Sequence, residues 1–497
     1  MESPENLTQN LQHVIDKQRE WLLVYESGDT FSIFNNEIDF DTGSEKILIG
    51  FLTNNGYETW RLLEFEIDED VVTAHLTRNF GVEKNIVKLV PRTKAKDLKD
   101  TIEFARLEKA NKFAKLLASK TNNLKVKRVE LNQENGRFAQ LTIEDKNGVE
   151  TAVLSDVSDS LSPEILLSSS IYWLSKLQKR KMNPIDLLWI ISDTKKIKNL
   201  KKLHACLTTS WKKQIKIKQI VYKKRGGSKN TKKLTSCRKM SIAGLWKSKP
   251  PKLRKIEDST LSNVSKEIIK LAPEKIDCIF SNKGENLRYL GLKFFRATVS
   301  LGEEKAWFGV DKPRKVVNEG SLEELDELIK NLKKYRCYDS PNKQHAFYQS
   351  SAEAWLEAIL LKDINQLDAN LILSPVYNQF RAVRDRIDLL ALRNDGRLVI
   401  IELKVVTDRE MVFQAVDYWQ KIEHQRRKGL LNKANLFDGK EISDKPAIIY
   451  LAAPTLSYHK DFNFLAKTIS SQIEIFKFEL SENWRENLKV LRRRKIS

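Results

Sequence analysis

The sequence predicts a mixed α/β (α+β) chain that is built in duplicate, with a small β-rich module ahead of an α/β unit in each copy. Three observations lead to this fold class. The 497 residues exceed the usual size of one hydrophobic core. Apolar residues make up 41% of the chain, enough for ordinary globular folding. A strand–turn–strand–helix–strand order recurs after about 250 residues.

Two predicted β-hairpins, each with a glycine turn, carry this repeat. Their parts are 137–143, Asn147-Gly148 and 151–154 in the first copy, and 386–392, Asp395-Gly396 and 399–402 in the second. A helical segment with a Tyr-Trp pair follows in both copies, at Tyr172-Trp173 and at Tyr418-Trp419. This shared order favours duplication. The alternative is two α/β units with generic patterning.

The positive charge of the chain is concentrated in one segment. Residues 194–256 contain 22 Lys and Arg and no Asp or Glu, whereas the other residues carry 65 basic and 66 acidic side chains. Such a block binds polyanions by releasing their condensed counterions. A solvated linker, or a ribosome- or membrane-seeking patch, is the alternative. We predict nucleic-acid contacts at Lys212, Lys213, Lys223, Lys224, Arg225, Lys232, Lys233, Arg238 and Lys239.

The second part of the basic segment has the composition of a linker. It contains Gly226-Gly227 and Pro250-Pro251 and few periodic apolar positions. The predicted division is a β-rich module at 1–92, an α/β domain at 93–222, a basic linker at 223–256, a second β-rich module at 257–335 and a second α/β domain at 336–497.

Several protein classes are excluded by what the sequence lacks. No apolar run approaches the ~20 residues of a membrane-spanning helix, and the N-terminus has no signal-peptide layout. The four cysteines form no C-x-x-C pair, which argues against a zinc ribbon and fits a reducing compartment. There is no P-loop, so an ATP-driven helicase is not encoded. We therefore predict a cytoplasmic protein without a membrane partner.

Two candidate catalytic residues lie in a predicted strand that is otherwise apolar. Residues 398–406 form a nearly continuous apolar run, typical of a central strand covered on both faces. Glu402 and Lys404 interrupt it, and side chains two apart on a strand share a face. Buried charges need compensation. The pair is therefore either a structural ion pair or a carboxylate held for a metal beside an ammonium held for a phosphate.

A second carboxylate favours the metal. Asp388 lies among apolar residues in the preceding predicted strand, and the turn at Asp395-Gly396 makes that strand the antiparallel partner of the Glu402 strand. Two acids and a lysine at one end of a sheet suit a hard cation such as Mg²⁺. The metal would generate hydroxide and stabilise charge on a scissile phosphate.

At these residues the chain resembles a known family. Asp388 and Glu402-Leu403-Lys404, with the two acids fourteen positions apart, are similar to the D…E-x-K signature of PD-(D/E)XK nucleases. Gln414 and Tyr418 match the Q-x-x-x-Y motif of the RecB-like branch. Residues 351–357 resemble the first helix of the family. The sequence around Asp388 and Glu402-Leu403-Lys404 is similar to that of NucS-type nucleases. The resemblance covers about 130 residues at the C-terminal end.

The resemblance implies a restriction-endonuclease-like mixed sheet flanked by helices, and Mg²⁺- or Mn²⁺-dependent hydrolysis of DNA. Asp388 and Glu402 would bind the metal, together with the backbone carbonyl of Leu403. Lys404 would orient or activate the attacking water and stabilise the developing phosphate charge.

The resemblance also implies a further acid on the upstream helix. Glu353 would complete the outer shell of the metal or hold a second ion. Glu357 lies at i+4 on the same helix face, so it stays an alternative. Gln414 and Tyr418 would hold the site or the DNA backbone, and core packing is the alternative for both.

The first copy departs from the pattern, with Ala139 aligned to Asp388, Leu154 to Glu402 and Asp156 to Lys404. We therefore predict one DNA-cutting centre and a degenerate lobe that holds DNA. The other hypothesis is a non-catalytic nucleic-acid-binding or adaptor protein of a repair, defence or mobile-element complex. RNA stays open as a substrate beside DNA. A homodimer and a larger nucleoprotein complex are equally open, because a duplicated chain can imitate a dimer or form one.

Overall fold

A computed structural model describes residues 4–496, apart from 27–29, 44–45, 54–55, 79–80, 82, 93–94, 121–123, 159–160, 193, 224–230, 251–260, 282–283, 301–302, 311–314 and 375–387. The helices are α1 Pro4–Asp16, α2 Ala95–Lys120, α3 Pro163–Gln178, α4 Thr194–Ala205, α5 Thr209–Gln214, α6 Ile242–Leu245, α7 Asn263–Lys270, α8 Leu322–Tyr335, α9 Ala346–Gln349, α10 Ala352–Lys362, α11 Met411–Arg427, α12 Leu430–Lys433 and α13 Phe462–Ala466.

The strands of the first half are β1 Glu20–Tyr25, β2 Thr30–Phe34, β3 Ile38–Gly43, β4 Lys46–Thr53, β5 Gly56–Asp68, β6 Val71–Arg78, β7 Glu83–Pro91, β8 Lys125–Leu131, β9 Phe138–Glu144, β10 Glu150–Asp156, β11 Leu188–Ser192, β12 Ile215–Lys223 and β13 Thr231–Ser236. Those of the second half are β14 Ile276–Ser281, β15 Gly284–Tyr289, β16 Leu292–Ser300, β17 Glu303–Phe308, β18 Lys315–Val316, β19 Leu371–Leu373, β20 Leu389–Arg393, β21 Leu398–Leu403, β22 Ile448–Pro454, β23 Ile475–Leu480 and β24 Val490–Lys495. The fold is therefore mixed α/β, and within the described ranges no helix is long and apolar enough to span a membrane.

The chain divides into two compact units. Unit 1 comprises Met1–Ser162, Leu174–Ile197 and Ile215–Cys237. Unit 2 comprises Pro163–Trp173, Lys198–Gln214 and Arg238–Ser497. Two helical segments that lie early in the chain therefore belong to the second unit. Within it, the Thr208 amide donates to the Thr468 carbonyl at 2.8 Å.

The two β-rich regions form antiparallel sheets of different size. The seven-stranded sheet has the order β2-β1-β7-β6-β5-β4-β3 and buries a core that includes Trp21, Phe51 and Trp60. The five-stranded sheet runs β14-β15-β16-β17-β18. Helix α8 packs into the core of this sheet through Leu325 and Ile329, which share one face of the helix at i, i+4 spacing.

The two six-stranded sheets share one topology. Their orders are β8-β9-β10-β11-β12-β13 and β19-β20-β21-β22-β23-β24. In both sheets the successive pairs are antiparallel, antiparallel, parallel, parallel and antiparallel. The central strands β10 and β21 are nearly or wholly buried, as expected for strands covered on both faces.

The structure departs from the predicted linker at 223–256. Residues Thr231–Ser236 form the edge strand β13, which pairs antiparallel with residues 218–223 of β12. Lysine on an edge strand is compatible with pairing on one side and discourages pairing on the other, so a basic, linker-like composition does not exclude a strand. Further on, the Trp246 ring lies 5.9 Å from that of Trp419 and 5.8 Å from that of His424 in unit 2.

Candidate active site

The β20–β21 hairpin brings the two predicted metal-binding carboxylates together. Leu389 pairs with Ile401, so the next positions outward, Asp388 and Glu402, lie opposite each other. The amide of Leu403 donates a 2.8 Å hydrogen bond to Oδ2 of Asp388, which holds that carboxylate against the end of β21. The glycine turn predicted at Asp395-Gly396 is present, with φ of 79° at the glycine. The carboxylates therefore meet because of strand register, not because of proximity in sequence.

Lys404 lies at the centre of the acidic cluster. Its ammonium is 3.1 Å from Oε1 of Glu402, 3.7 Å from Oε2 of Glu353 and 3.7 Å from Oδ2 of Asp408. The charge of Asp388 also acts on Lys404, so four carboxyl groups influence one largely buried ammonium. Fully ionised, the cluster would carry an excess of negative charge, which a bound cation would neutralise.

Burial makes this cluster retain protons. Burial raises the pKa of Asp388 to about 7, although the Leu403 amide and Lys404 act against the shift. Burial, and then the charge of Asp388, raise the pKa of Glu402 well above its usual value. Burial also lowers the pKa of Lys404, but the surrounding carboxylates outweigh it and raise that pKa above its usual value. A cation that binds here would displace protons from the carboxyl groups.

Glu402 has a buried acceptor oxygen that lacks a partner among the described residues. Glu402 is 2% exposed, and its Oε2 is buried without a hydrogen bond among the described residues, whereas its Oε1 contacts Lys404. Oε1 of Gln414 is likewise buried and unpaired within the described chain. A buried oxygen without a donor is costly, and coordination to a hard cation would satisfy it.

The donor set suits a cation that keeps part of its water shell. In the described part of the chain, no group of three or more His, Cys, Asp or Glu side chains forms a metal cage. Mg²⁺ is commonly held by one or two carboxylates, with water and substrate phosphate in the remaining positions. Asp388 and Glu402 supply two carboxylates of this kind, and a further ligand from the carbonyl of Leu403 stays a prediction.

The structure separates the two upstream acids. Glu353, at the start of α10, faces the ammonium of Lys404, and its side chain is 39% exposed. Glu357 is buried and accepts a 3.1 Å hydrogen bond from Nη1 of Arg288, which also binds Asp277. Glu357 is therefore paired with the buried guanidinium of Arg288. Glu353 is thus the upstream acid beside Lys404, whereas the charge of Glu357 acts on Asp388. Which of the two serves a metal stays a prediction.

We expect different losses when each of these acids is neutralised. Glu353→Gln should reduce metal-dependent cleavage by about 10- to 100-fold, the usual effect of removing an outer-shell group, with unchanged thermal unfolding. Glu357→Gln should lower the free energy of unfolding by about 1–3 kcal/mol, since it weakens a charged hydrogen bond to the buried Arg288. Cleavage rates and calorimetric melting of both variants would test this. Lost cleavage with normal melting in Glu357→Gln would reverse the assignment.

Asp408, which sequence reasoning missed, also contacts Lys404. It follows β21 in the segment leading to α11, and its Oδ1 accepts a 2.6 Å hydrogen bond from the amide of Glu410. Glu410 in turn accepts a 3.1 Å hydrogen bond from the hydroxyl of Ser168, within unit 2. The only signal in the sequence was an acid four residues after Lys404, outside any strand pattern.

Gln414 and Tyr418 lie on one face of α11, and both are half-buried. Tyr418 lies 5.8 Å below the ammonium of Lys421. Their predicted role in holding the site or the DNA backbone stays a prediction.

The predicted nucleic-acid contacts are distributed over both units. Lys213, Arg238 and Lys239 are exposed, whereas Lys212 directs its ammonium to the carbonyl of Ala205 at 3.5 Å. Lys223 lies on β12, and Lys232 and Lys233 lie on β13. Lys224 and Arg225 fall outside the described residues.

The first six-stranded sheet corrects the predicted alignment of the two α/β segments. Gly148 and Gly396 both have φ of 79° and lie four residues after the last paired position of their strands. Counting back from the turns places Gln140, not Ala139, at the position of Asp388, and Gln140 pairs with Leu154. The prediction of Ala139 was one residue out of register, which on a strand moves a side chain to the other face.

Comparison with known proteins adds little to this geometry. No protein-family model and no curated protein matches the chain. A solved structure of EndoMS in its apo form is similar, with 9% sequence identity and a TM-score of 0.15, over 38% of this chain and 85% of that one. A likeness of this size does not establish a function.

Proposed function

We propose that the chain is a metal-dependent phosphodiesterase. More specifically, it is a DNA endonuclease of the PD-(D/E)XK type with one cutting centre, at Asp388, Glu402 and Lys404. The observation that carries the proposal is the meeting of two carboxylates across the β20–β21 register, with Oε2 of Glu402 buried and unpaired. A structural ion pair between Glu402 and Lys404 would need neither Asp388 nor an orphan oxygen.

The residues have distinct roles in this proposal. Asp388, Glu402 and the Leu403 carbonyl would hold Mg²⁺ or Mn²⁺. A bound cation of this kind supplies an activated water and neutralises charge on the scissile phosphate. Lys404 is held by Glu402, Glu353 and Asp408 at 3.1–3.7 Å, so its ammonium is positioned before the substrate arrives. From there it would orient the water and stabilise the negative charge that develops on the phosphate.

The rest of the chain would bind the substrate. The first six-stranded sheet has Gln140 and Leu154 where the second has Asp388 and Glu402, so it cannot bind a metal in the same way. With the basic residues of 194–197 and 215–237, which belong to the same unit, it forms the inactive half that we propose holds DNA. Duplication of a restriction-endonuclease-like unit accounts for the common topology of the two sheets.

Incubation with nucleic acids tests the proposal directly. End-labelled single-stranded, duplex and branched DNA, and a matching RNA, would be incubated with the full chain and Mg²⁺ or Mn²⁺, with EDTA as the control. We expect internal cleavage of DNA with metal and none with EDTA. Binding without cleavage for every substrate and metal would instead favour a non-catalytic nucleic-acid-binding or adaptor protein.

A further inference from the structure

Unit 1 contains a cavity of about 530 Å³ beside its six-stranded sheet. Asp156 and Ser192, the last residues of the parallel strands β10 and β11, line it, and so does helix α2. Ligands of open α/β sheets commonly bind at the carboxyl ends of parallel strands. In unit 2, the corresponding end of β21 carries Glu402 and leads to Lys404.

The charges around this cavity are opposite to those around Lys404. Four lysines line it: Lys109, Lys112, Lys115 and Lys196. Among its described lining residues Asp156 is the one acid, and it is neutralised by Lys196, whose ammonium lies 2.7 Å from Oδ2. Lys112 also pairs with Glu108, which lies outside the lining, at 2.8 Å. The lining itself holds four basic groups and one acid, an excess of positive charge that favours an anionic ligand and disfavours a metal cation.

The other residues that line the cavity suit a ligand that has an apolar part as well as a negative charge. Phe113, Val157 and Ile191 are buried and give the cavity an apolar wall. Ser155 and Ser192, both largely buried, add hydroxyl groups beside Asp156. Cavities of roughly 300–1,000 Å³ with apolar walls and a few polar groups are typical of small-ligand sites. A phosphate attached to a sugar and a base fits this combination.

We infer that this cavity binds a phosphodiester unit of a DNA strand, with lysines on the phosphates and the apolar wall against the adjacent sugar or base. The inference deepens the DNA-holding role in the proposed function and does not depend on the cutting centre. With Leu154 and Gln140 in place of the metal-binding carboxylates, the cavity binds the strand and leaves it intact.

The test uses the full chain in EDTA, so that binding is measured without cleavage. Lys112→Ala/Lys115→Ala should weaken binding of a fluorescent 12-nucleotide single-stranded DNA by about 3- to 10-fold. It should also reduce the slope of log K against log salt by about 1.4, since each lost phosphate contact of a single strand contributes about 0.7.

A closely matched control lies on helix α8. Lys112 and Lys330 each pair with an acid four residues before them and are 71% and 74% exposed. Lys330→Ala/Lys333→Ala removes the same charge and should leave the affinity and the salt slope unchanged. Equal weakening by the two double variants would overturn the site.

Two further measurements locate the ligand. The oligonucleotide should protect Lys109 and Lys196 from acetylation, read by mass spectrometry, and should leave Lys330 reactive. Thymidine monophosphate and inorganic phosphate should compete at least tenfold more weakly than the oligonucleotide. If the mononucleotide competes as well as the oligonucleotide at equal concentration, the ligand of the cavity is a free nucleotide and not a DNA strand, and the inference is overturned. If the oligonucleotide binds specifically at this cavity but no metal supports cleavage, the nuclease proposal fails and the inference about the cavity stands.

Discussion

Replacing Lys404 with alanine is expected to lower the rate of metal-dependent DNA cleavage by about 10³-fold or more, with little change in DNA affinity. The loss combines the positioning of the attacking water with stabilisation of phosphate charge, each worth about 10²–10³-fold or more in enzymes. Asp388→Ala and Glu402→Ala should have effects at least as large, because each removes a proposed metal ligand. Single-turnover cleavage at saturating DNA and metal would measure the rates.

A lysine on the same sheet provides the matched control. Lys477 and Glu479 lie two apart on β23, with 2.6 Å between Nζ and Oε1, and both side chains are about as buried as that of Lys404. Lys477→Ala thus removes an ion pair of the same kind from another strand of the sheet, outside the proposed metal site. It should retain normal cleavage at a temperature where it is folded. Equal losses in both lysine variants would show that the Lys404 pair is structural.

Asp388→Asn is expected to stabilise the metal-free protein at pH 8. The pKa of Asp388 is raised to about 7 when the protein is folded, from the ordinary value of 3.8. Between those values the folded chain binds more protons than the unfolded chain, so this group makes stability fall as pH rises. Asparagine carries no charge, and its side-chain oxygen can still accept the hydrogen bond from the Leu403 amide. The gain should be a few kcal/mol at most, since one pKa unit corresponds to about 1.4 kcal/mol.

Thermal unfolding in EDTA at pH 5 and pH 8 would measure this effect. The difference between Asp388→Asn and the unchanged chain should grow from pH 5 to pH 8, where it is largest. Mg²⁺ should stabilise the unchanged chain and have no effect on the variant. Asp395 on the same hairpin is the control, because its hydrogen bond with Arg393 holds its pKa down at about 2. Asp395→Asn should therefore give no stabilisation at pH 8, and the same gain in both variants would contradict the prediction.

Local patterning was enough to predict the central features of the site. The apolar run around Glu402 and Lys404 indicated a buried strand, and the two-residue spacing placed both charges on one face. The turn at Asp395-Gly396 indicated that the Asp388 strand returns against it, which the β20–β21 pairing shows. Each of these inferences depends on residues within a few positions of one another.

Features that depend on packing between distant segments could not be predicted. Glu353 and Glu357 share a helix face, and only the position of Arg288, about 70 residues earlier, separates them. Asp408 lies outside any periodic pattern, so its approach to Lys404 depends on how its segment folds back. Strand β13 was missed because a lysine-rich edge strand has the composition of a linker.

By itself the sequence determined the mixed α/β class, the local placement of Asp388, Glu402 and Lys404, and the concentration of positive charge in residues 194–256. Only the tertiary structure decided which acids surround Lys404, that Gln140 takes the place of Asp388 in the first sheet, and that four lysines line a cavity there. The reason is physical. Periodicity and turn chemistry act over a few residues, whereas strand register and the burial of charge depend on surfaces that meet only in the folded chain.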